Sequence, residues 1–197
     1  GFESALADDG SVGDSWAASL TDAIAEAWFS SDFLRVHELA ARFDSLPVPG
    51  NLLLTPPEGF SYYALNPLRF ADDVVRAVGS RCAAIVGIRS IGTTLSAISA
   101  AALRRRGIPC ERITLRPAGH PYERSIELSK EHKRWIDRML AAGALFLVVD
   151  EGPGRSGSTF LSVGEALIEA GVPEREILLV GSREPHAAQL CARDALR

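Results

Sequence analysis

The sequence predicts an α/β fold built on a parallel sheet, and three observations predict it. Residues 145–149 (LFLVV) are a continuous apolar run, as expected of a strand covered on both faces. The run stops at two acids, Asp150 and Glu151. A small-residue loop follows, Gly152-Pro153-Gly154-Arg155-Ser156-Gly157, and a helix-periodic segment opens at Ser158-Thr159. A second unit of the same design lies upstream. Apolar residues 83–88 (AAIVGI) lead into Arg89-Ser90-Ile91-Gly92-Thr93-Thr94, and Ala-rich residues 95–106 then read as a helix closed by Gly107 and Pro109. Two strand-loop-helix units in one chain are the signature of parallel strands joined by helical crossovers.

The remaining elements follow in chain order. Residues 1–13 are small and acidic, and are expected to be mobile. Asp14 or Ser15 can cap a helix carrying Trp16, Leu20, Ile24, Ala27 and Trp28 on one face. Residues 32–43 repeat the pattern with Phe33, Val36, Leu39, Ala40 and Phe43, leaving His37 on the exposed side. These aromatics read as packing residues. The two helices suit a subunit interface, as in a homodimer, as well as a cap on the core. Residues 46–68 break the periodicity with Pro and Gly, around short strands at 52–55 and 60–65. A helix at 70–78 leads into the first core strand.

Past the Gly107 turn, residues 112–115 read as a strand, and 117–126 as a polar, irregular stretch. Residues 129–142 form an amphipathic helix with Trp135, Ile136, Met139 and Leu140 inward. Its Lys130, Lys133, Arg134 and Arg138 make a solvated face, and His132 sits among them with no ligand-like partner. Residues 177–180 are the next strand. Residues 187–197 read as a helix stopped in mid-pattern, and the chain opens at Gly1 without Met, so it reads as a fragment of a longer protein.

Composition narrows the function classes. A hydrophobic content of 47% is that of a globular core. The formal net charge of −4 gives no overall attraction to nucleic acid or to an anionic membrane. Cys82, Cys110 and Cys191 are widely spaced and odd in number, which suits buried or half-buried thiols in a reducing, cytoplasmic setting. No run approaches the roughly 18–20 apolar residues of a membrane span.

Three phosphate loops compete for residues 152–159. Gly152, Gly154 and Gly157 satisfy the dinucleotide fingerprint, which also wants an acid about 20 residues on, at the end of the next strand. The nearest, Glu184, lies late and follows Arg183. Residues 152–159 also approach the nucleotide-hydrolase loop, but Ser158 stands where its lysine belongs, which removes the main cation for the β- and γ-phosphates. The third reading takes the acids into account. Carboxylates beside a phosphate loop repel phosphate, yet they accept hydrogen bonds from sugar hydroxyls, so a sugar phosphate satisfies both halves of the motif.

In that third reading the chain resembles the type I phosphoribosyltransferases, over residues 69–182. The resemblance rests on Val148-Val149-Asp150-Glu151 followed by Ser156-Gly157-Ser158-Thr159, and on Arg89 to Thr94 upstream. It implies a Rossmann-like parallel core at 69–197, a small hood at 46–68 and an N-terminal helical segment at 1–45. The implied donor is phosphoribosyl pyrophosphate (PRPP) carried as its Mg²⁺ complex, with no protein metal ligands. Asp150 and Glu151 would bind the ribose hydroxyls. Gly154, Arg155, Ser156, Gly157, Ser158 and Thr159 would hold the 5′-phosphate, and Ser90, Gly92 and Thr93 the pyrophosphate. Arg89, Arg116 and Arg124 would neutralise the leaving pyrophosphate, with His120, Tyr122 and Lys130 nearby on a closing loop. Tyr62 and Tyr63, beside Phe60, are the expected stacking residues for an unidentified acceptor.

The resemblance has one departure. Several purine-salvage members carry an Asp inside the 5′-phosphate loop, where this chain has Gly152-Pro153-Gly154-Arg155, so an acceptor of that type is not expected. The wording is also similar to the divergent members found in bacterial tellurium-resistance and stress gene clusters, which implies a specialised acceptor. A non-catalytic protein of the same fold, sensing PRPP or a nucleotide, is the alternative.

Overall fold

The computed structural model describes residues 2–8, 15–45, 59–62, 64–184 and 190–191. Helices α1 (Phe2–Asp8), α2 (Ser15–Phe29) and α3 (Phe33–Ala41) come first, the last running into a 3₁₀ turn at Arg42–Ser45. The expected strand at 52–55 lies outside the described residues. The described residues of 60–65 turn and form no strand: Leu65 N–H donates to the Phe60 carbonyl at 3.0 Å, and Ala64 N–H to that of Ser61.

Helix α4 (Pro67–Val78) starts where local chemistry dictates. Asn66 accepts the N–H groups of Leu68 and Arg69, and Pro67 fills the first turn, where no N–H is needed. The core then alternates: β1 (Ala83–Ile88), α5 (Ile91–Arg105), β2 (Cys110–Leu115), a hairpin of β3 (Ala118–His120) and β4 (Glu123–Ser125), α6 (Lys130–Ala141), β5 (Leu145–Val149), α7 (Ser158–Glu169) and β6 (Ile177–Val180). Four strands make one parallel sheet in the order β2-β1-β5-β6. The parallel α/β architecture is therefore as the sequence predicts.

The pleat of the two central strands assigns their side chains to opposite layers. Ala83 and Ile85 of β1 with Leu145, Leu147 and Val149 of β5 pack under Phe70, Val74 and Val78 of α4 and Leu95 and Leu103 of α5. Ala84, Val86 and Ile88 with Phe146 and Val148 pack against Trp135, Ile136 and Met139 of α6 and Phe160, Val163 and Leu167 of α7. Burial on both faces explains why neither strand alternates polar and apolar residues. Among the described residues no helix is long and apolar enough to cross a membrane.

Five local expectations are corrected. Residues 2–8 are a helix packed on the core, with Glu3, Ser4 and Leu6 buried. The reason is tertiary: their polar partners lie more than 80 residues away in the chain. Helix α5 begins at Ile91, ahead of the expected residue 95, so Gly92, Thr93 and Thr94 form its first turn. The stretch at 117–126 carries the β3–β4 hairpin. On α3 only Leu39 is fully buried, and Phe33 is 58% exposed, because a short helix touching the molecule along one edge covers a narrower stripe. Cys191 is exposed, while Cys82 and Cys110 are half-buried. The expected C-terminal helix at 187–197 lies, but for Leu190 and Cys191, outside the described residues.

Candidate functional site

Strand order puts a crevice at the carboxyl ends of β1 and β5. From β1 the chain leaves towards β2 on one side, and from β5 towards β6 on the other, so the connections diverge above this pair. In open parallel sheets that divergence is where ligands bind. Here it is a pocket of about 230 Å³ whose walls carry opposite charge. Arg89 and Ser90 come from the end of β1, Arg116 from the end of β2 and Arg124 from β4; Asp150 and Glu151 come from the end of β5 and Thr159 from the first turn of α7. Residues separated by up to 70 positions in sequence thus meet in one cavity.

The acidic end is built from main chain outwards. Asp150 N–H donates to the Val180 carbonyl at 3.1 Å, which extends the sheet by one bond. Glu151 N–H donates to Asp150 Oδ1 at 3.0 Å. Ser182 fixes the Glu151 carbonyl with its N–H at 2.9 Å and its hydroxyl at 2.5 Å. Burial pushes the Asp150 carboxyl up to about 10, and the neighbouring Glu151 adds to the rise by sharing a hydrogen bond and repelling a second charge. Asp150 therefore keeps its proton at neutral pH, and its carboxyl can both donate to and accept from a hydroxyl ligand.

The basic end is equally specific. Arg89 is nearly enclosed, its side chain 9% exposed, and burial lowers its pKa against the opposing pull of Asp8. It donates through Nη2 to the Thr114 carbonyl at 3.1 Å and through Nη1 to Asp8 at 2.7 Å. Arg116 Nε donates to the other oxygen of Asp8, also at 2.7 Å. Arg124 is aligned by its bond to the Pro117 carbonyl at 3.0 Å. The Arg89–Ser90 peptide is cis.

Comparison with protein-family models, curated proteins and solved structures finds no match to this chain. Its own geometry therefore has to carry the reading.

Of the residues singled out from sequence, Arg89, Ser90, Arg116, Arg124, Asp150, Glu151 and Thr159 line the one pocket. The small-residue loop lies beside it. Gly157 adopts φ +73°, a conformation suited to glycine, and precedes the first turn of α7. Ser156 and Ser158 hydrogen-bond each other at 2.9 Å, and the Ser158 hydroxyl donates to the Pro121 carbonyl at the hairpin tip, 2.7 Å away. Gly154 and Arg155 are exposed. Gly92 and Thr93 are buried in packing: Gly92 abuts the Val149 carbonyl, and the Thr93 hydroxyl meets that of Ser4 at 2.8 Å.

The acceptor residues fare differently. Tyr62 is 74% exposed on a turn, and Tyr63 lies outside the described residues. Phe60 instead lines a second cavity, of about 490 Å³, together with Trp28 and Ile24 of α2 and Ala97 and Ile98 of α5. His132 has a structural role. Its Nδ1 accepts the Ser129 N–H at 3.3 Å while Ser129 Oγ accepts the His132 N–H, a reciprocal cap on α6.

Sequence reasoning missed Asp8, the residue that joins Arg89 to Arg116. A lone acid in a small, polar N-terminal stretch gives no periodicity or motif to read.

Proposed function

We propose that this chain is a phosphoribosyltransferase, binding PRPP as its Mg²⁺ complex and passing 5-phosphoribose to an acceptor with release of pyrophosphate. The observation that carries the reading is the opposition of Asp150 and Glu151 to Arg89, Arg116 and Arg124 across one pocket at the carboxyl edge of the sheet. A ligand with hydroxyls at one end and concentrated negative charge at the other fits such walls, and PRPP is one.

The roles follow from charge. Asp150 and Glu151 accept from the ribose hydroxyls and face the Mg²⁺ that the substrate brings. The backbone N–H groups opening α7, a 12-residue helix, attract the 5′-phosphate. The C1–O bond breaks with its electron pair leaving on pyrophosphate, and an acceptor lone pair forms the new bond to C1. The acceptor's proton passes to solvent. Arg89, Arg116 and Arg124 hold the developing charge on pyrophosphate, the kind of preorganised stabilisation that often dominates catalysis.

A second reading, a non-catalytic sensor of PRPP or a nucleotide, gains support from the hydroxyls of Thr93, Ser156 and Ser158, which are engaged within the protein. Calorimetric titration with PRPP and Mg²⁺, with NAD and ATP as controls, tests the common element. Micromolar binding of PRPP alone, lost in Asp150→Asn/Glu151→Gln, supports both readings. Binding of NAD or ATP in its place overturns the transferase and leaves only a sensor of nucleotides. Pyrophosphate release on addition of candidate acceptors then separates enzyme from sensor.

A further inference from the structure

We infer that α1 is a strap whose Asp8 carboxylate occupies two arginines of the pocket and is displaced when a polyanion such as pyrophosphate binds; this rests on reading the pocket as an anion site. One carboxylate bridges two guanidinium groups that arrive from different strands. Asp8 Oδ1 accepts from Arg89 Nη1 and Oδ2 from Arg116 Nε, both at 2.7 Å. Two arginines converging on one anionic group is the arrangement that binds phosphates. Arg89 also has a donor to spare, since its Nε is buried and has no partner among the described residues. A carboxylate with two oxygens leaves that donor unmet, whereas a pyrophosphate has oxygens enough for it.

The strap is built to stay attached while its end lets go. Near its start Glu3 makes two hydrogen bonds with Arg112, at 2.7 and 2.8 Å, and both side chains are nearly enclosed. Ser4 meets Thr93 in the first turn of α5. Asp8, the last residue of the helix, is 33% exposed, and its partner Arg116 is 45% exposed. Seven residues are too few for a helix to persist in water unaided, so losing the Asp8 contacts frees the last turn and leaves the buried anchor in place. Pyrophosphate carries more charge and more acceptor oxygens than one carboxylate, and so competes for both arginines. The affinity of the site for an anion is then set partly by the strap.

The test is calorimetric titration of the whole chain with inorganic pyrophosphate, comparing wild type with Asp8→Asn, and with Asp73→Asn as a charge-matched control at an exposed position of α4. Removing the competitor is expected to tighten binding by about tenfold. Ser4→Ala, which loosens the strap without touching either pocket arginine, is expected to tighten it less, and Asp73→Asn not at all. Hydrogen exchange at residues 2–8 of wild type is expected to speed up when pyrophosphate is added. Equal affinities in wild type and Asp8→Asn, or pyrophosphate binding to neither, overturns the strap. PRPP with Mg²⁺ serves as a separate arm. If pyrophosphate behaves as expected and PRPP binds neither protein, the strap stands and the phosphoribosyl reading falls.

Discussion

Gly92, in the first turn of α5, lies so close to Val149, the last residue of β5, that a Cβ on Gly92 would stand 2.4 Å from the Val149 carbonyl oxygen. The same helix turn presses on β1, where a Cβ on Gly87 would meet the Gly92 carbonyl oxygen at 2.4 Å. Helix and strands touch backbone to backbone directly beneath the pocket. Gly92→Ala meets main-chain atoms that cannot rotate away, and is expected to cost about 1–3 kcal/mol of stability. Gly164→Ala in α7 is the contrast. A Cβ there meets nothing within 4 Å, and the change is expected to stabilise by roughly 0.5–1 kcal/mol. Urea denaturation of both variants checks the opposite signs.

Asp150 predicts a pH dependence. Its carboxyl is raised from the ordinary value of 3.8 to about 10 in the folded chain, by burial first and by Glu151 next. Below the unfolded value both states are protonated and folding costs nothing on this account. As pH rises from there towards the folded value, the unfolded chain binds fewer protons than the folded one, so stability falls. Asp150→Asn removes that slope. The variant is expected to melt above wild type at neutral pH, with the difference shrinking as pH falls towards 4; a melting series across this window measures it.

The same substitution is expected to act in the opposite direction on the ligand. With Glu151→Gln it replaces the two carboxyl groups that bind the ribose hydroxyls, and PRPP affinity is expected to fall by about 1.5–3 kcal/mol. A protein that gains thermal stability while losing PRPP affinity separates a site residue from a structural one.

Arg112 is buried in an ionic cluster. Besides Glu3 it contacts Asp22 and donates to the Ala18 carbonyl at 3.0 Å, so one guanidinium ties α1 and α2 to β2. Arg112→Ala strands Glu3 without a partner, and is expected to destabilise by about 3–5 kcal/mol. Arg35→Ala, removing an exposed pair with Glu38, is expected to change stability by less than about 1 kcal/mol. Parallel denaturation curves compare them.

Ser129→Ala breaks the reciprocal cap of α6 and is expected to cost about 1 kcal/mol. His132 adds a pH component. Burial lowers its pKa first, with Arg89 next, and the Nδ1 that accepts the Ser129 N–H must be unprotonated. A depressed histidine contributes stability above its unfolded pKa and loses it as pH falls. The gap between wild type and Ser129→Ala is therefore expected to narrow on acidification below the ordinary histidine value of about 6.5, as read by thermal melts.

Much of the core was legible because its signals are local. The strand at 177–180 is placed to the residue, since an apolar run between turn residues has few alternatives. Residues 83–88 and 145–149 are likewise strands, because burial on both faces demands unbroken apolar runs. The start of α5 was misread because Gly92-Thr93-Thr94 looks like a loop until the packing that requires Gly92 is seen. The hairpin at β3–β4 was hidden in a polar stretch whose three-residue strands are too short to show a period.

The parallel α/β core, the loop after β5 and the chemical character of the residues at the strand ends follow from local sequence alone, because apolar runs, glycines and paired acids act on their immediate neighbours. That Arg89, Arg116, Arg124, Asp150 and Glu151 share one pocket, and that Asp8 bridges two of its arginines, emerges only once the chain is folded. Those relations depend on strand order and on helix α1 docking across the sheet, and long-range contacts of that kind leave no periodicity along the chain.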